Sequence, residues 1–238
     1  MRTLHREEMH CQIVHDSIHR RPGWTITYCL KAEDTKVGFA TVAVAGPWKD
    51  RPALLEFYLL PEHRGQAYGL FETLLATSNP PQFEVQSNDV LFFIMAHTYG
   101  RDVVSEKIVF GDGETTAHTS QGAVLRPVTP EADVRKCLEQ RSGGGEWVLE
   151  LEGVRIGKGG LLFHYNRPYA DVYMEIDEQY RRRGFGAYLV QELKRACYAM
   201  GAVPAARCSP QNPASFKTLQ RAGFLPFAHI LVGSFTRT

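Results

Sequence analysis

The feature that most constrains this chain is that it repeats itself. Shifting the sequence by 117 positions lays Pro61-Glu-His-Arg-Gly-Gln-Ala-Tyr-Gly69 over Glu178-Gln-Tyr-Arg-Arg-Arg-Gly-Phe-Gly186. A strand pattern precedes both stretches and an apolar helical pattern follows both. Further on, Asn88 before an apolar helix echoes Asn212. A self-similar order of this kind predicts two copies of one supersecondary plan. At 238 residues the chain is long enough for two small domains. The stretch Asp112–Gly122 has linker composition, so the predicted domains are residues 1–118 and 119–238.

Each copy reads as strands, then a glycine loop, then a helix. In the first, strands are predicted over Trp24–Leu30, Val37–Ala45 and Ala53–Leu60, with a helix through Phe71, Leu74 and Leu75 that Pro80–Pro81 ends. In the second, Val124–Pro127, Trp147–Leu151, Gly159–Tyr165 and Tyr169–Ile176 read as strands. The helix after the loop runs to about Met200, with Phe185, Leu189, Leu193, Cys197 and Met200 at spacings of three and four. Val203–Cys208 is another strand. Asn212 then caps a helix with Pro213 at its first position and Gly223 as its stop, and Phe224–Val232 is the last strand. A polar helix is predicted over residues 3–19. It carries His5, His10, His15 and His19, which read as surface histidines because no carboxylate or cysteine completes a metal motif.

Composition excludes several classes. Basic and acidic side chains nearly cancel, 27 against 26, so no net charge recommends nucleic acid or an anionic membrane as partner. Five widely spaced cysteines without a CxxC argue against a disulfide scaffold or a zinc ribbon. Reduced thiols in a cytoplasmic protein are the expectation, with no signal peptide. No apolar run approaches the roughly 18–20 residues of a membrane helix.

The sharpest chemical signal is the strand followed by Arg181-x-x-Gly184-x-Gly186 and then a helix. A helix start leaves about four backbone N–H groups unpaired under a partial positive charge. Glycines let a diphosphate lie on that backbone, and Arg181, Arg182 and Arg183 add charge. A Rossmann fingerprint fails because Leu189 stands where its third small residue belongs, and a P-loop fails because Gly157-Lys158 is followed by Gly159.

Arg-x-x-Gly-x-Gly after a strand resembles the acyl-CoA signature of the Gcn5-related N-acetyltransferases. Asn212-Pro-Ala-Ser215, with Leu219 and Ala222-Gly223-Phe224, is similar to that family's second block, and the likeness covers about Val124 to Phe235. The resemblance implies an α/β (α+β) fold of two tandem lobes, each a mixed, mostly antiparallel sheet flanked by helices. It implies acetyl-CoA as cofactor and a primary amine on a small molecule or protein as acceptor. Backbone around Met174 and Ile176 would pair with the pantetheine arm. Backbone N–H groups of Arg181, Arg182, Arg183, Gly184, Phe185, Gly186 and Ala187 would hold the pyrophosphate. Asn212 and Ser215 would lie near the cofactor, Asn212 also serving as a helix cap.

Two departures follow. The first copy has Arg64-x-x-Ala67-x-Gly69 and lacks the second block, which reads as a degenerate lobe. The tyrosine that many members use as general acid falls on Leu219. For the base, the strand Tyr169–Ile176 places Asp171, Tyr173, Glu175 and Asp177 on one face and Val172, Met174 and Ile176 on the other. Glu175 is the first candidate and Asp171 the second; the base of the histone-type enzymes falls on Ala170. The hairpin from His164 through Tyr165 to Tyr169 either contacts the acceptor, together with Tyr173, or packs its aromatics. Two functions stay open: an N-acetyltransferase, and a non-catalytic acyl-CoA sensor.

Overall fold

The computed structural model describes residues 1–12 and 16–235. The chain divides into two compact units. The first comprises Met1–His10, Ile18–Lys107 and Ala228–Thr238; the second comprises Cys11–Ser17 and Ile108–Phe227. Both units are therefore discontinuous in sequence, in contrast to the two consecutive segments, 1–118 and 119–238, expected from sequence.

The first unit opens with helix α1 (Arg2–Met9), which His10 stops in a left-handed conformation (φ 51°). The predicted helix over 3–19 is thus shorter, and Asp16–Arg20 is a 3-10 turn; His15 lies outside the described residues. Strands β1 (Thr25–Ala32), β2 (Thr35–Ala43) and β3 (Ala53–Leu59) form an antiparallel meander. Helix α2 (Ala67–Ser78), strand β4 (Gln82–Gln86), helix α3 (Val90–Tyr99) and the long strand β5 (Gly100–Asp112) follow. Strand β3 is buried along its whole length, with α2 and α3 covering one face. Phe57 and Phe71 meet edge-to-face at 4.8 Å, and Phe92, Met95 and Ala96 from α3 complete the core. Residues from β11 (Phe224–Phe235) supply the antiparallel partner of β4, from Ile230↔Gln86 to Ser234↔Gln82.

The second unit holds β6 (Ala123–Pro127), helix α4 (Glu131–Gln140), β7 (Gly144–Leu151), β8 (Val154–Leu162), β9 (Tyr169–Ile176), helix α5 (Phe185–Ala199), β10 (Val203–Cys208) and helix α6 (Pro213–Arg221). Its strand order is β5-β10-β9-β8-β7-β6, and only β9 and β10 run parallel among these neighbours. Helix α5 forms because its apolar residues recur on one face. Leu189, Val190, Leu193 and Cys197 are fully buried against Leu161, Ala170, Val172 and Ile176. Each large side chain so placed contributes about 2 kcal/mol relative to exposure.

The stretch with linker composition is fastened to α5. Buried Gln191 accepts from Thr116 Oγ1 (2.8 Å) and His118 N (2.6 Å) and donates to His118 O (3.0 Å). Buried Lys194 donates to Glu114 O and Ala222 O and pairs with Asp112 at 3.0 Å. Polar side chains on a buried helix face must find partners, and this backbone supplies them. No described helix is long and apolar enough to cross a membrane.

Candidate active site

The site is built on β9. Along one edge β9 pairs with β8 from Leu162↔Asp171 to Gly157↔Ile176. Along the other it pairs with β10 only from Tyr169↔Val203 to Val172↔Ala206. Beyond that point the two parallel strands part, while β10 continues on its far side against β5 through Cys208↔Ile108. The backbone from Tyr173 to Ile176 therefore borders a gap inside a sheet. An extended ligand can add itself there as a strand, through main-chain hydrogen bonds. Met174 and Ile176, predicted to pair with a pantetheine arm, both lie on this stretch.

The glycine loop follows directly. After a 3-10 turn at Glu178–Tyr180, Arg181 Nε donates to Ile176 O at 2.9 Å, pinning the loop to the strand end. Arg182 (φ 62°) and Gly184 (φ 87°) are left-handed, and alternating backbone hand turns successive N–H groups into one concavity. Gly184 is the N-cap of α5, and no side chain caps the helix start. A Cβ on Gly184 would meet nothing within 4 Å, so the backbone conformation, rather than space, requires glycine there. At Gly186 space decides: a Cβ would stand 3.1 Å from Thr218 Cγ2 on α6. Arg183 lies over the rings of Phe185 (5.2 Å) and Tyr180 (5.8 Å). Phe185 and Ala187 are buried in the core, which leaves them their backbone to offer a ligand.

Asn212 caps α6, its Oδ1 accepting from Ser215 N at 3.0 Å. In the first unit the corresponding cap is Asp89, which accepts from Phe92 N. Asn88, the residue read above as the echo of Asn212, instead donates to Met9 O at 2.8 Å. Leu219, at the position of the family's tyrosine, is buried.

The two candidate carboxylates differ sharply. Asp171 is buried, its side chain 7% exposed, and ion-paired with Arg207 at 3.1 Å. It also accepts from Gln12 Nε2 at 2.9 Å. Glu175 is 61% exposed, with Lys158 Nζ at 3.7 Å. Between them Tyr173 crosses Gly160 to reach Glu146 Oε2 at 3.4 Å. A Cβ on Gly160 would collide with Gly145 O and the Tyr173 ring. Burial, then the Glu146 charge, pushes the Tyr173 phenol up.

The hairpin between β8 and β9 is held from below. Buried Arg141 donates to the carbonyls of Tyr165, Asn166 and Tyr169, and Asn166 Nδ2 donates to Cys11 O at 3.0 Å. Tyr165 is buried, takes a short bond from Arg207, and lies beneath that guanidinium. Burial, then Asp171, pushes its phenol up. His164 stacks on Tyr165 at 4.2 Å. Arg207, Gln12, Arg141, Glu146 and Lys158 were not singled out from the sequence. Each acts across a long sequence separation, and no local spacing marks them.

The fold and the site together define a mixed α/β protein with a splayed strand pair above an anion-shaped loop. Residues 116–224 match the model of the acetyltransferase (GNAT) family. Among solved structures, an acetyltransferase from the GNAT family of Colwellia psychrerythraea is similar over 99% of this chain and 96% of its own, with TM-score 0.71 and 17% identity. A tandem GNAT protein from the clavulanic acid biosynthesis pathway is similar over 89% of this chain and 83% of its own, with TM-score 0.57 and 12% identity. A GCN5-related N-acetyltransferase from Kribbella flavida covers 84% of this chain and 88% of its own, with TM-score 0.51 and 14% identity. At these identities the likeness is one of fold. No curated protein matches in sequence.

Proposed function

We propose that the chain is an acetyl-CoA-dependent N-acetyltransferase that acylates a primary amine of a small molecule or protein by direct attack in a ternary complex. The observation that carries this reading is the parting of β9 from β10 after Val172↔Ala206, directly before the left-handed loop that opens α5. The residues fit the cofactor. Backbone of Tyr173–Ile176 offers strand-like pairing to an extended arm, and the N–H groups from Arg181 to Ala187 offer a cradle to a pyrophosphate. When bound, acetyl-CoA supplies a thioester carbonyl.

An alkylammonium acceptor has a pKa of about 10.4 and must lose a proton before it can attack. We assign this proton to Glu175, directly or through water; its exposure on the strand that borders the gap supports the assignment. Asp171 is a positioning residue: paired with Ala205 one step before the strands part, it holds Arg207, one residue beyond the last pair, and so ties β9 to β10 across that point. Backbone N–H groups of β9 would meet negative charge on the thioester oxygen. The neutral amine would gain the acetyl group and give up a proton as its C–N bond forms, and the C–S bond would break to release the thiol. None of the five cysteines is in a disulfide, and we place the protein in the cytoplasm.

Glu175→Gln is expected to lower kcat by about 10²–10⁴-fold with acetyl-CoA affinity retained, read as thiol release over a panel of amines. An undiminished kcat would remove Glu175 as base. Burial of Leu219 where a hydroxyl acid would stand favours a second reading, a non-catalytic acyl-CoA sensor. Tight acetyl-CoA binding with no thiol release on any amine would select the sensor.

A further inference from the structure

The first unit repeats the geometry of the candidate site and then fills it. Its β3 pairs with β4 in parallel only at Ala53↔Gln82 and Leu54↔Phe83, yet stays paired with β2 up to Gly38↔Leu59. The strands therefore part just as β9 and β10 do. Arg64 Nε donates to Leu59 O (3.3 Å) as Arg181 Nε donates to Ile176 O. These matched bonds equate Glu56 with Tyr173 and Tyr58 with Glu175.

Helix α1 bridges the two walls of this slot. On the β3 side, Arg2 pairs with Glu56 at 3.0 Å, Glu8 accepts from Tyr58 Oη at 2.7 Å, and the His5 ring stands 5.4 Å from the Tyr58 ring. On the side where β4 ends, Asn88 Nδ2 donates to Met9 O at 2.8 Å and His5 pairs with Asp89 at 2.9 Å. At the loop, Arg64 pairs with Glu8 at 2.5 Å. The result is visible in exposure. Glu56 and Tyr58 are 1% and 2% exposed, against 61% for the Glu175 side chain. The loop itself lacks the cradle. Pro61–Gln66 is a 3-10 run leading straight into α2, and no residue from 61 to 69 has a positive φ.

We propose that α1 is the standing occupant of a relic cofactor slot in the first unit, a self-ligand whose Glu8 carboxylate takes the loop arginine that a diphosphate would otherwise meet. The inference rests on reading the β9/β10 gap as an acyl-CoA site. It makes the whole chain a one-cofactor protein, closed on its first unit by its own first helix.

The test is made on the full chain, by titration calorimetry with acetyl-CoA and by hydrogen exchange with and without it. Wild type is expected to bind one equivalent, with protection at Tyr173–Ile176 and none at Leu55–Leu59. Glu8→Ala/Asn88→Ala is expected to speed exchange at Leu55–Leu59 about tenfold or more while Tyr173–Ile176 are unchanged. Arg6→Pro, which breaks α1 from within, is the second variant should those two anchors prove too few to release the helix. Two equivalents bound by wild type would overturn the proposal. So would unmoved exchange at Leu55–Leu59 once the amides of residues 5–9 exchange freely. If acetyl-CoA binds nowhere, the cofactor reading of the second unit fails, and the exchange arm still decides whether α1 covers the slot.

Discussion

Asp171 and Glu175 lie on one face of one strand, four residues apart, and the structure gives them opposite circumstances. The first is enclosed by Arg207 and Gln12; the second stands open beside Lys158. Strand alternation makes the shared face legible, but the enclosing partners come from residues 12 and 207, beyond any local pattern. The glycine loop was more legible, because a left-handed φ is a property of the residue itself. Gly184→Ala adds a Cβ to open space in a left-handed conformation. It is expected to lower stability by roughly 1–2 kcal/mol, the cost of a left-handed non-glycine residue, or, where the loop relaxes out of that conformation, to weaken acetyl-CoA binding about 5–30-fold instead. Equilibrium binding beside urea unfolding separates the two effects. Lys194 is the opposite case, a charge that serves structure. It is 2% exposed and bonded to Asp112 and two carbonyls. Lys194→Met is expected to cost about 3–5 kcal/mol, the usual consequence of removing one partner of a buried pair, measured by urea unfolding. Loss of activity without loss of stability would contradict that role.

Among the elements, α1 carries a pH signature. Burial pulls the His5 pKa down, but the hydrogen bond and charge of Asp89, then the charge of Glu56, raise it above its ordinary 6.5. A raised folded value means stabilisation that is complete below about 6.5 and lost as pH climbs through the folded pKa. For Glu8, burial pushes upward, but Arg64 and Tyr58 outweigh it and hold the carboxyl below its ordinary 4.5. Its contribution is therefore present above about 4.5 and lost in acid. The anchorage of α1 is thus firmest between those two values. Stability is expected to fall between pH 5.5 and pH 8.5, and His5→Phe, which keeps a ring against Phe39 and Tyr58, should flatten that fall. An equal slope in both proteins would remove His5 as the cause. Elements with strong signals appeared where the sequence put them: β9 and β10 match the predicted Tyr169–Ile176 and Val203–Cys208, and α6 starts behind its Asn212 cap. Strands β4 and β5 were not foreseen. β4 is five residues long, and β5 mixes Arg101, Asp102, Glu106 and Lys107 with its apolar residues, so neither shows a clean alternation.

For the whole molecule, the repeated strand–loop–helix order predicts two copies of one plan, and nothing in it signals the discontinuity of the compact units. Strand pairing between β4 and β11 links positions 82–86 to positions 230–234, and nothing local in either segment names the other. A fragment of residues 1–118 keeps the short parallel pairing of β4 with β3 but lacks the antiparallel partner of β4. It is expected to expose an unpaired edge and associate, judged by light scattering, whereas the full chain should stay dispersed. A monomeric, cooperatively folding 1–118 fragment would show that the first unit is complete without β11.

The same pairing sets an order of events at birth. A chain leaving the ribosome at about 5–20 residues per second presents Gln82–Gln86 roughly 7–30 seconds before Ile230–Ser234 can join them. During that interval the second unit, nearly all of it contiguous from Ile108 to Phe227, has already emerged and can close. The strand edge at Gln82–Gln86 is then finished late, and it is the place where a chaperone would find a nascent chain still waiting for Ile230–Ser234.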